Sequence, residues 1–237
     1  DSRNYAIAAK LLMLEPSDSA ECRDMTKLAY TLSEQFDTPV ILRLSTRIAH
    51  SRSIVDTMER EDVPLRPYEK NQAKNIMLPA FARPKHEVVE KRTAAEREWA
   101  ETCALNFIED NGAKTGVIVA GSTYKYAKEA LGDTVNYLKL GVVNPLPVGK
   151  IRSFAAGLET VYVIEELDDI IESHCKKIGV PVIGKDVFPR CGEFSQKLIA
   201  EKLGLPRGGS AAVEESIPVR PPVMCCGCPH RGLFYRS

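Results

Sequence analysis

The sequence has no excess of charge of either sign. Its 237 residues contain 32 Lys and Arg against 32 Asp and Glu, which gives a formal net charge of zero. Surfaces that bind nucleic acid or anionic membranes need an excess of basic side chains, so neither partner is indicated. No apolar run approaches the roughly 20 residues that cross a bilayer, and residues 1–4 (DSRN) are unlike a signal peptide. These absences predict a cytoplasmic protein.

Cysteine is sparse except near the end of the sequence. Four of the seven cysteines are scattered, which is typical of reduced thiols rather than of a disulfide framework: Cys22, Cys103, Cys175 and Cys191. The other three lie within residues 225–228 (CCGC). Cys225 and Cys228 have a Cys-x-x-Cys spacing, which can supply half of a metal or iron–sulfur site. On spacing alone, a redox dithiol or simple reduced thiols are equally compatible.

Nucleotide-binding fingerprints are also missing. The sequence contains neither Gly-x-Gly-x-x-Gly nor a Walker motif. Gly121-Ser122-Thr123 lies between a predicted strand and a predicted helix, where exposed amides can hold an anion. Without a fingerprint, the favoured interpretation is that Ser122 is the N-cap of the helix.

The pattern of apolar segments between residues 115 and 205 predicts an α/β fold. Strands alternate with helices, which implies right-handed crossovers and a largely parallel sheet. The strands are predicted at residues 116–121, 135–140, 161–164 and 182–183, and the helices at 123–131, 147–154, 170–178 and 195–203.

The segments on either side of this fold are predicted to be parts of other modules. Residues 1–55 contain two short strands, at 11–14 and 39–44, around one helix that begins at Ser17 or Asp18, which is too little to form a domain alone. We expect the rest of that domain upstream. Residues 56–98 are charged and contain four prolines, which predicts a linker that helices cannot run through. A helix is expected only from about Thr93, with an apolar side that extends to Phe107 and Ile108.

Two groups of charged residues follow predicted strands, where ligands collect in open α/β sheets. Arg43, Arg47 and His50, with Arg52 beside them, could bind a carboxylate or phosphate, or form salt bridges to a partner domain or subunit. The second group could bind a cation or serve acid–base chemistry, although a structural role at a helix N-terminus is favoured. It comprises Glu165, Glu166, Asp168 and Asp169.

Three stretches together resemble one enzyme family. They are residues 13–22 (MLEPSDSAEC), 39–51 (PVILRLSTRIAHS) and 220–232 (RPPVMCCGCPHRG). They are similar to the large (alpha) subunit of indolepyruvate:ferredoxin oxidoreductases, which are thiamine-diphosphate-dependent 2-oxoacid:ferredoxin oxidoreductases. Cys226 departs from the usual proline at its position. The resemblance spans the whole chain and implies that the chain is an internal part of a longer subunit.

The resemblance implies an order of modules. Residues 1–55 would end the pyrimidine-binding thiamine domain, and residues 56–98 would be a linker. Residues 99–210 would form a Rossmann-like domain similar to the transketolase C-terminal domain. Residues 211–237 would be a second linker and the start of the pyrophosphate-binding thiamine domain.

The family reaction converts aryl-pyruvates such as indolepyruvate to aryl-acetyl-CoA by oxidative decarboxylation, with ferredoxin as electron acceptor. The resemblance implies thiamine diphosphate, Mg²⁺ and [4Fe-4S] clusters, coenzyme A, and a smaller beta subunit. Arg43, Arg47 and His50 would lie near the substrate carboxylate or coenzyme A, and Cys225 and Cys228 would be candidate cluster ligands. The family's diphosphate motif, its ferredoxin-like domain and the acidic residue that activates the thiazolium are missing. We therefore assign no catalytic residue and expect the chain alone to be inactive and free of cofactors.

Two other classes of function remain open on the sequence. A transketolase-C-like sheet commonly buries subunit interfaces, so the chain could be a non-catalytic dimerisation or interaction module. It could also be a metal or redox protein that uses Cys225 and Cys228.

Overall fold

The structure, a computed structural model, describes residues 1–65, 67–206 and 224–234. It divides the chain into two compact units, Asp1–Pro206 and Arg207–Ser237. The second linker, predicted at the start of residues 211–237, lies outside the described residues. The predicted α/β class is confirmed, since the first unit combines helices with two sheets of mostly parallel strands.

The described residues of the first unit form seven strands and nine helices. The strands are β1 (Leu12–Leu14), β2 (Val40–Leu42), β3 (Phe107–Glu109), β4 (Thr115–Ala120), β5 (Asn136–Leu140), β6 (Val142–Asn144) and β7 (Thr160–Ile164). The helices are α1 (Arg3–Ala9), α2 (Ser19–Phe36), α3 (Thr46–His50), α4 (Gln72–Asn75), α5 (Pro79–Thr102), α6 (Ser122–Leu131), α7 (Val148–Ala155), α8 (Ile170–Lys177) and α9 (Gln196–Lys202). The second unit contains α10 (Arg231–Phe234).

The larger sheet has the strand order β3-β5-β4-β7. The strands β5, β4 and β7 are parallel, as the alternation of strands and helices predicted, and β3 joins β5 antiparallel at one edge. Alternate residues of β4 pack into separate apolar clusters, with Ile118 on one face of the sheet and Val117 and Val119 on the other. The continuous apolar run of β4 is therefore buried on both faces.

Two predictions for this sheet were wrong. Phe107 and Ile108 lie in β3 rather than on a helix, because α5 ends at Thr102 and the chain then pairs with β5. The strand expected at 182–183 is reduced to one bridge between Ile183 and Tyr162. A two-residue apolar segment gives too few backbone pairings to extend the sheet.

The smaller sheet combines distant parts of the sequence in the order β2-β1-β6. β1 pairs in parallel with β2 and antiparallel with β6, which follows β5 almost directly. Leu12 and Leu14 of β1 are buried with Met25 of α2, Ala100 of α5 and Val142 of β6. The predicted modules at 1–55 and 99–210 thus share one sheet and one apolar cluster.

The second helix begins at the predicted place. Asp18 is the N-cap of α2, and its Oδ1 accepts a hydrogen bond from the Glu21 amide at 2.9 Å. The Glu21 carboxylate reaches back to the Ser17 amide, 2.8 Å away, as in a capping box shifted by one residue. It also pairs with Lys139, whose Nζ lies 2.7 Å from both carboxylate oxygens.

The expectation that residues 56–98 exclude helix was wrong for their second half. Helix α5 begins at Pro79, fourteen residues before the predicted start at Thr93, and contains Pro84. Proline at the first helical position loses no hydrogen bond, and Pro84 removes one bond from a helix of 24 residues.

Within the described residues, no helix has both the length and the apolar character needed to cross a membrane.

Candidate functional site

The carboxyl ends of strands from both sheets come together in the first unit. Glu15 follows β1, and Gly121 follows β4 in the other sheet. A Cβ atom placed on Gly121 would lie only 2.4 Å from Glu15 Oε1, so the two backbones meet with almost no space between them. Gly121 has a φ of +56°, which also favours glycine.

A cleft of about 500 Å³, here called the first cleft, opens at this junction. The three predicted site residues, Arg43, Arg47 and His50, all line it. The remaining lining comes from four places in the sequence: Ser2, then Leu44, Ser45 and Thr46, then Glu166 and Leu167, then Gly192 and Glu193. The structure therefore brings together the basic residues that the sequence placed at a strand end, whereas Arg52 does not line the cleft.

Buried acidic groups fix the position of the Arg43 side chain. Its Nη1 forms an ion pair with Glu15, and its Nε donates to Ser2 Oγ at 3.2 Å. Its Nη2 also lies 3.8 Å from a carboxylate oxygen of Asp1. The guanidinium is thus fixed at the base of the first cleft, with 13% of its side chain exposed.

Glu15 is a buried acid of this site, with only 7% of the residue exposed. Burial raises the pKa of its carboxyl, although the nearby charges of Arg43 and Arg3 oppose this change. Glu15 Oε2 is buried and has no hydrogen-bond partner within the described residues. The carboxylate therefore depends on Arg43 for most of its compensation.

Arg47 and His50 lie on the short helix α3 at the rim of the cleft. The Ser45 side chain caps this helix by accepting from the Ile48 amide at 3.3 Å. Arg47 donates from Nε and Nη2 to the two Glu193 oxygens, at 2.6 and 2.7 Å, and this contact lowers the pKa of Glu193. The pair is about half exposed, so water or an arriving anion can compete for it. His50 is exposed and has no side-chain hydrogen bond or ion pair in the part of the chain that the structure describes.

The acidic group after β7 has the structural role that the sequence favoured. Glu165 accepts hydrogen bonds from the amides of Ile171 and Glu172, at 3.0 and 2.9 Å, and so caps α8. Glu166 accepts from the Phe194 amide at 2.7 Å. The other two acids bond to side chains: Asp168 to Asn4, and Asp169 to Ser173 and Arg190.

Sequence reasoning missed a buried ionic network centred on Arg3. Arg3 is 2% exposed, and it donates to Glu165 at 2.5 Å and to Asp1 at 2.6 Å. It also donates to the backbone carbonyls of Glu166 and Asp168, both at 3.0 Å. Arg3 and Glu165 are 162 residues apart in the sequence, so no local pattern could have identified the pair.

The prediction that Ser122 caps α6 was wrong. The N-cap is Gly121, and no side chain accepts a hydrogen bond there. Ser122 is instead the first helical residue, buried with its Oγ 3.3 Å from Ser45 Oγ. The two hydroxyls link the loop after β2 to the start of α6, beneath the first cleft.

The described residues of the second unit include the cysteine cluster. Cys225 and Cys226 are exposed, and Cys228 is partly buried with its Sγ 3.6 Å from His230 Nδ1. Across residues 1–65, 67–206 and 224–234, no three His, Cys, Asp or Glu side chains are placed to hold one metal ion. Cluster ligation by Cys225 and Cys228 therefore stays a prediction.

Known proteins give a consistent comparison. The chain is 34% identical over 264 residues to indolepyruvate oxidoreductase subunit IorA of Pyrococcus horikoshii, and 34% identical over 254 residues to the protein of that name from Methanothermobacter marburgensis. Each alignment covers 99% of this chain and 41% of the relative, so the chain spans about two fifths of the length of these relatives. These relatives confirm the resemblance to the large subunit of indolepyruvate:ferredoxin oxidoreductases that the three sequence stretches indicated. No family model matches the chain.

A solved structure supports the fold. A 2-oxoglutarate:ferredoxin oxidoreductase from Magnetococcus marinus, with 2-oxoglutarate, coenzyme A and succinyl-CoA bound, aligns with a TM-score of 0.58. The alignment covers 81% of this chain and 41% of that one, at 18% sequence identity. At this identity, the likeness concerns the fold alone.

Proposed function

We propose that this chain, with the IorA subunits as its relatives, contributes to an enzyme that oxidatively decarboxylates aryl-pyruvates such as indolepyruvate. The products would be aryl-acetyl-CoA and carbon dioxide, and ferredoxin would accept the electrons. The supporting observation is similarity to subunit IorA over 99% of the chain. The mostly parallel sheet with a cleft lined by Arg43, Arg47 and His50 beyond its strand ends is consistent with a ligand-binding role.

The proposal assigns the cofactors to other parts of the subunit. Thiamine diphosphate supplies the carbanion chemistry of such reactions when it is bound, and [4Fe-4S] clusters carry single electrons. The described residues offer no three-ligand group for Mg²⁺ or a cluster, and Cys225 with Cys228 supplies two thiols at most. The proposed partners are a smaller beta subunit, ferredoxin and coenzyme A, in the cytoplasm.

The contribution of this chain to catalysis would be anion binding in the first cleft. Arg47 presents a planar fork that already binds both oxygens of a carboxylate, that of Glu193. A substrate carboxylate or a coenzyme A phosphate has the same bidentate geometry and could replace Glu193. Arg43, which is paired with Glu15, lines the same cleft, and His50 is exposed at the opening.

Substitution of Arg47 in the full-length enzyme tests this assignment. Arg47→Ala should raise the KM for the 2-oxoacid or for coenzyme A by about tenfold or more, because a bidentate charged contact is lost. The KM that rises identifies the ligand. Arg60→Ala is the matched control, because Arg60 also pairs with an acid, Asp62, on an exposed surface. Unchanged KM and kcat in Arg47→Ala would contradict the assignment.

Substitution of Glu193 gives an independent test, in which the KM should change in the opposite direction. Glu193→Gln removes the negative charge that competes for Arg47, so the same KM should fall. A rise of that KM in Glu193→Gln would show instead that the pair serves only to hold the cleft in shape.

A further inference from the structure

A second cleft of about 590 Å³ shares no lining residue with the first cleft. It lies between α1, the β6–α7 connection and α8. Much of its wall is apolar, and these side chains are Ile7, Val143, Pro145, Leu146, Val148, Ile170 and Ile178. The polar part of the wall comes from Asn4 of α1, Arg97 of α5, Asn144 of β6, and the residues that precede and form α8.

Three basic side chains converge on this second cleft. They are Arg97, His174 and Lys177. Arg97 and Lys177 are exposed, and neither forms a side-chain hydrogen bond or ion pair within the described residues. All three side chains line the same cleft. Burial lowers the pKa of His174, and the charges of Lys177 and Arg97 lower it further. His174 Nε2 is buried without a hydrogen-bond partner in the described part of the chain.

Two acids at the edge of the cleft leave this positive charge mostly uncompensated. Asp169 is bound to Arg190 at 2.7 Å and to Ser173 at 2.5 Å, and its pKa is lowered to about 2 by these contacts. Asp168 accepts a hydrogen bond from Asn4 at 3.2 Å. With Asp169 neutralised by Arg190, Asp168 is the one remaining acid of the lining that faces Arg97 and Lys177. Outside the lining, Glu90 interacts with Arg97, but its carboxylate is paired with Lys10.

The second cleft therefore combines two unpaired cations with an apolar wall. Inorganic phosphate would pair with the cations but leave the apolar wall exposed to water, and a neutral hydrocarbon would leave the cations unpaired. We propose that the second cleft binds a small organic carboxylate, with the carboxylate at Arg97 and Lys177 and the hydrocarbon part against Val143 and Leu146. This site is independent of the function proposed for the first cleft.

Binding of hexanoate to the 237-residue chain tests the proposal by calorimetry. Hexanoate should bind saturably at one site. Hexan-1-ol and inorganic phosphate should each bind at least about tenfold more weakly, because hexan-1-ol lacks the negative charge and phosphate lacks the hydrocarbon part. The double variant Arg97→Gln/Lys177→Gln should lose at least about tenfold in affinity. The control is Lys91→Gln/Lys197→Gln, which removes two exposed charges from α5 and α9 outside the cleft and should bind as the parent chain does.

The His174 ring gives a second readout that a general loss of positive charge would not produce. A carboxylate bound beside the ring favours the imidazolium, so saturating hexanoate should raise the His174 pKa measured by NMR. Hexan-1-ol should leave that pKa unchanged. Equal binding of hexanoate and phosphate, unchanged affinity in the cleft variant, or an unmoved His174 pKa at saturation would each overturn the proposal.

Discussion

Gly121 is a single residue on which the base of the first cleft depends. A methyl group there would meet the Glu15 carboxylate at 2.4 Å, and that carboxylate is fixed by Arg43. Neither Glu15 nor Arg43 can move without exposing or unpairing a buried charge, which is costly. The space at Gly121 is therefore set by an ion pair rather than by a flexible apolar side chain.

Substitution of Gly121 should be more damaging than substitution of a glycine with the same backbone. Gly132 has a φ of +54°, close to the +56° of Gly121, but has nothing within 4 Å of its added Cβ. Gly132→Ala should lower the free energy of unfolding by about 1 kcal/mol through backbone strain, and Gly121→Ala by about 2 to 4 kcal/mol. Urea unfolding measures both, and equal losses would show that the contact with Glu15 relaxes freely.

His174 should make the stability of the chain depend on pH. Its pKa in the folded chain lies below the usual 6.5, so the unfolded chain binds more protons when the pH falls through about 6.5. Stability should therefore decrease from pH 7.5 towards pH 5.5, and His174→Gln should make this part of the profile flatter. Charged groups that face or lie near the ring are Lys177, Arg97, Asp168 and Asp169. Parallel profiles of the parent and the variant from urea unfolding would contradict this account.

The residues that line the first cleft and the buried charged residues that contact them differ in how far the sequence could predict them. Arg43, Arg47 and His50 follow an apolar strand, and strand ends are where ligand-binding residues collect, so their position was predictable. Glu15 and Arg3 were not, because their partners lie on other elements: 28 residues away for Glu15 and 162 for Arg3. Burial of a charge in a three-dimensional network leaves no periodic signal in one sequence.

At the scale of elements, α5 contains two prolines in different positions. Pro79 is the first residue of the helix, where the missing amide has no intrahelical partner. Pro84 lies inside the helix, where its ring removes the hydrogen bond that the Ala80 carbonyl would accept. The two prolines therefore form a matched pair for measuring the cost of an internal proline.

Replacement of the internal proline should stabilise the helix. Pro84→Ala restores one hydrogen bond and should raise the free energy of unfolding by about 1 to 2 kcal/mol, after the greater freedom of the unfolded chain is included. Pro79→Ala should change stability by less than about 0.5 kcal/mol. Circular dichroism should show more helix in Pro84→Ala only. A loss of stability in that variant would mean that the proline ring contributes more by packing than it costs.

Element length alone does not decide which strands could be predicted. The strands β4, β5 and β7 have five or six residues each, and the sequence located them within about one residue. The strands β1 and β2 have only three residues each, but they lie in the apolar runs at 11–14 and 39–44 and were predicted. The strands β3 and β6 also have three residues each, and both were missed. Three residues cannot show a period of two against a period of 3.6, so the pairing partners of β3 and β6, not their own sequence, define them.

For the whole molecule, we expect no oxidative decarboxylation of indolepyruvate by the 237-residue chain alone. The expectation rests on the chain spanning 41% of its relatives and on the described residues offering no complete metal site. Anaerobic assay with thiamine diphosphate, Mg²⁺, coenzyme A and ferredoxin tests it, with a full-length relative as positive control. Measurable turnover would contradict it.

Light scattering of the same sample tests the remaining prediction of a homodimer, which a strictly monomeric chain would refute.

The shared sheet β2-β1-β6 has a consequence for a chain that is cut. The long segment between α3 and α4 contains no helix or strand among its described residues, and it separates β1 and β2 from β6. A protease that cleaves there would leave β1 hydrogen-bonded to β6 and Arg3 paired with Glu165, on opposite sides of the cut. The nicked chain should migrate as two bands in denaturing gels and as one particle in native gel filtration. The halves are thus natural candidates for fragment complementation.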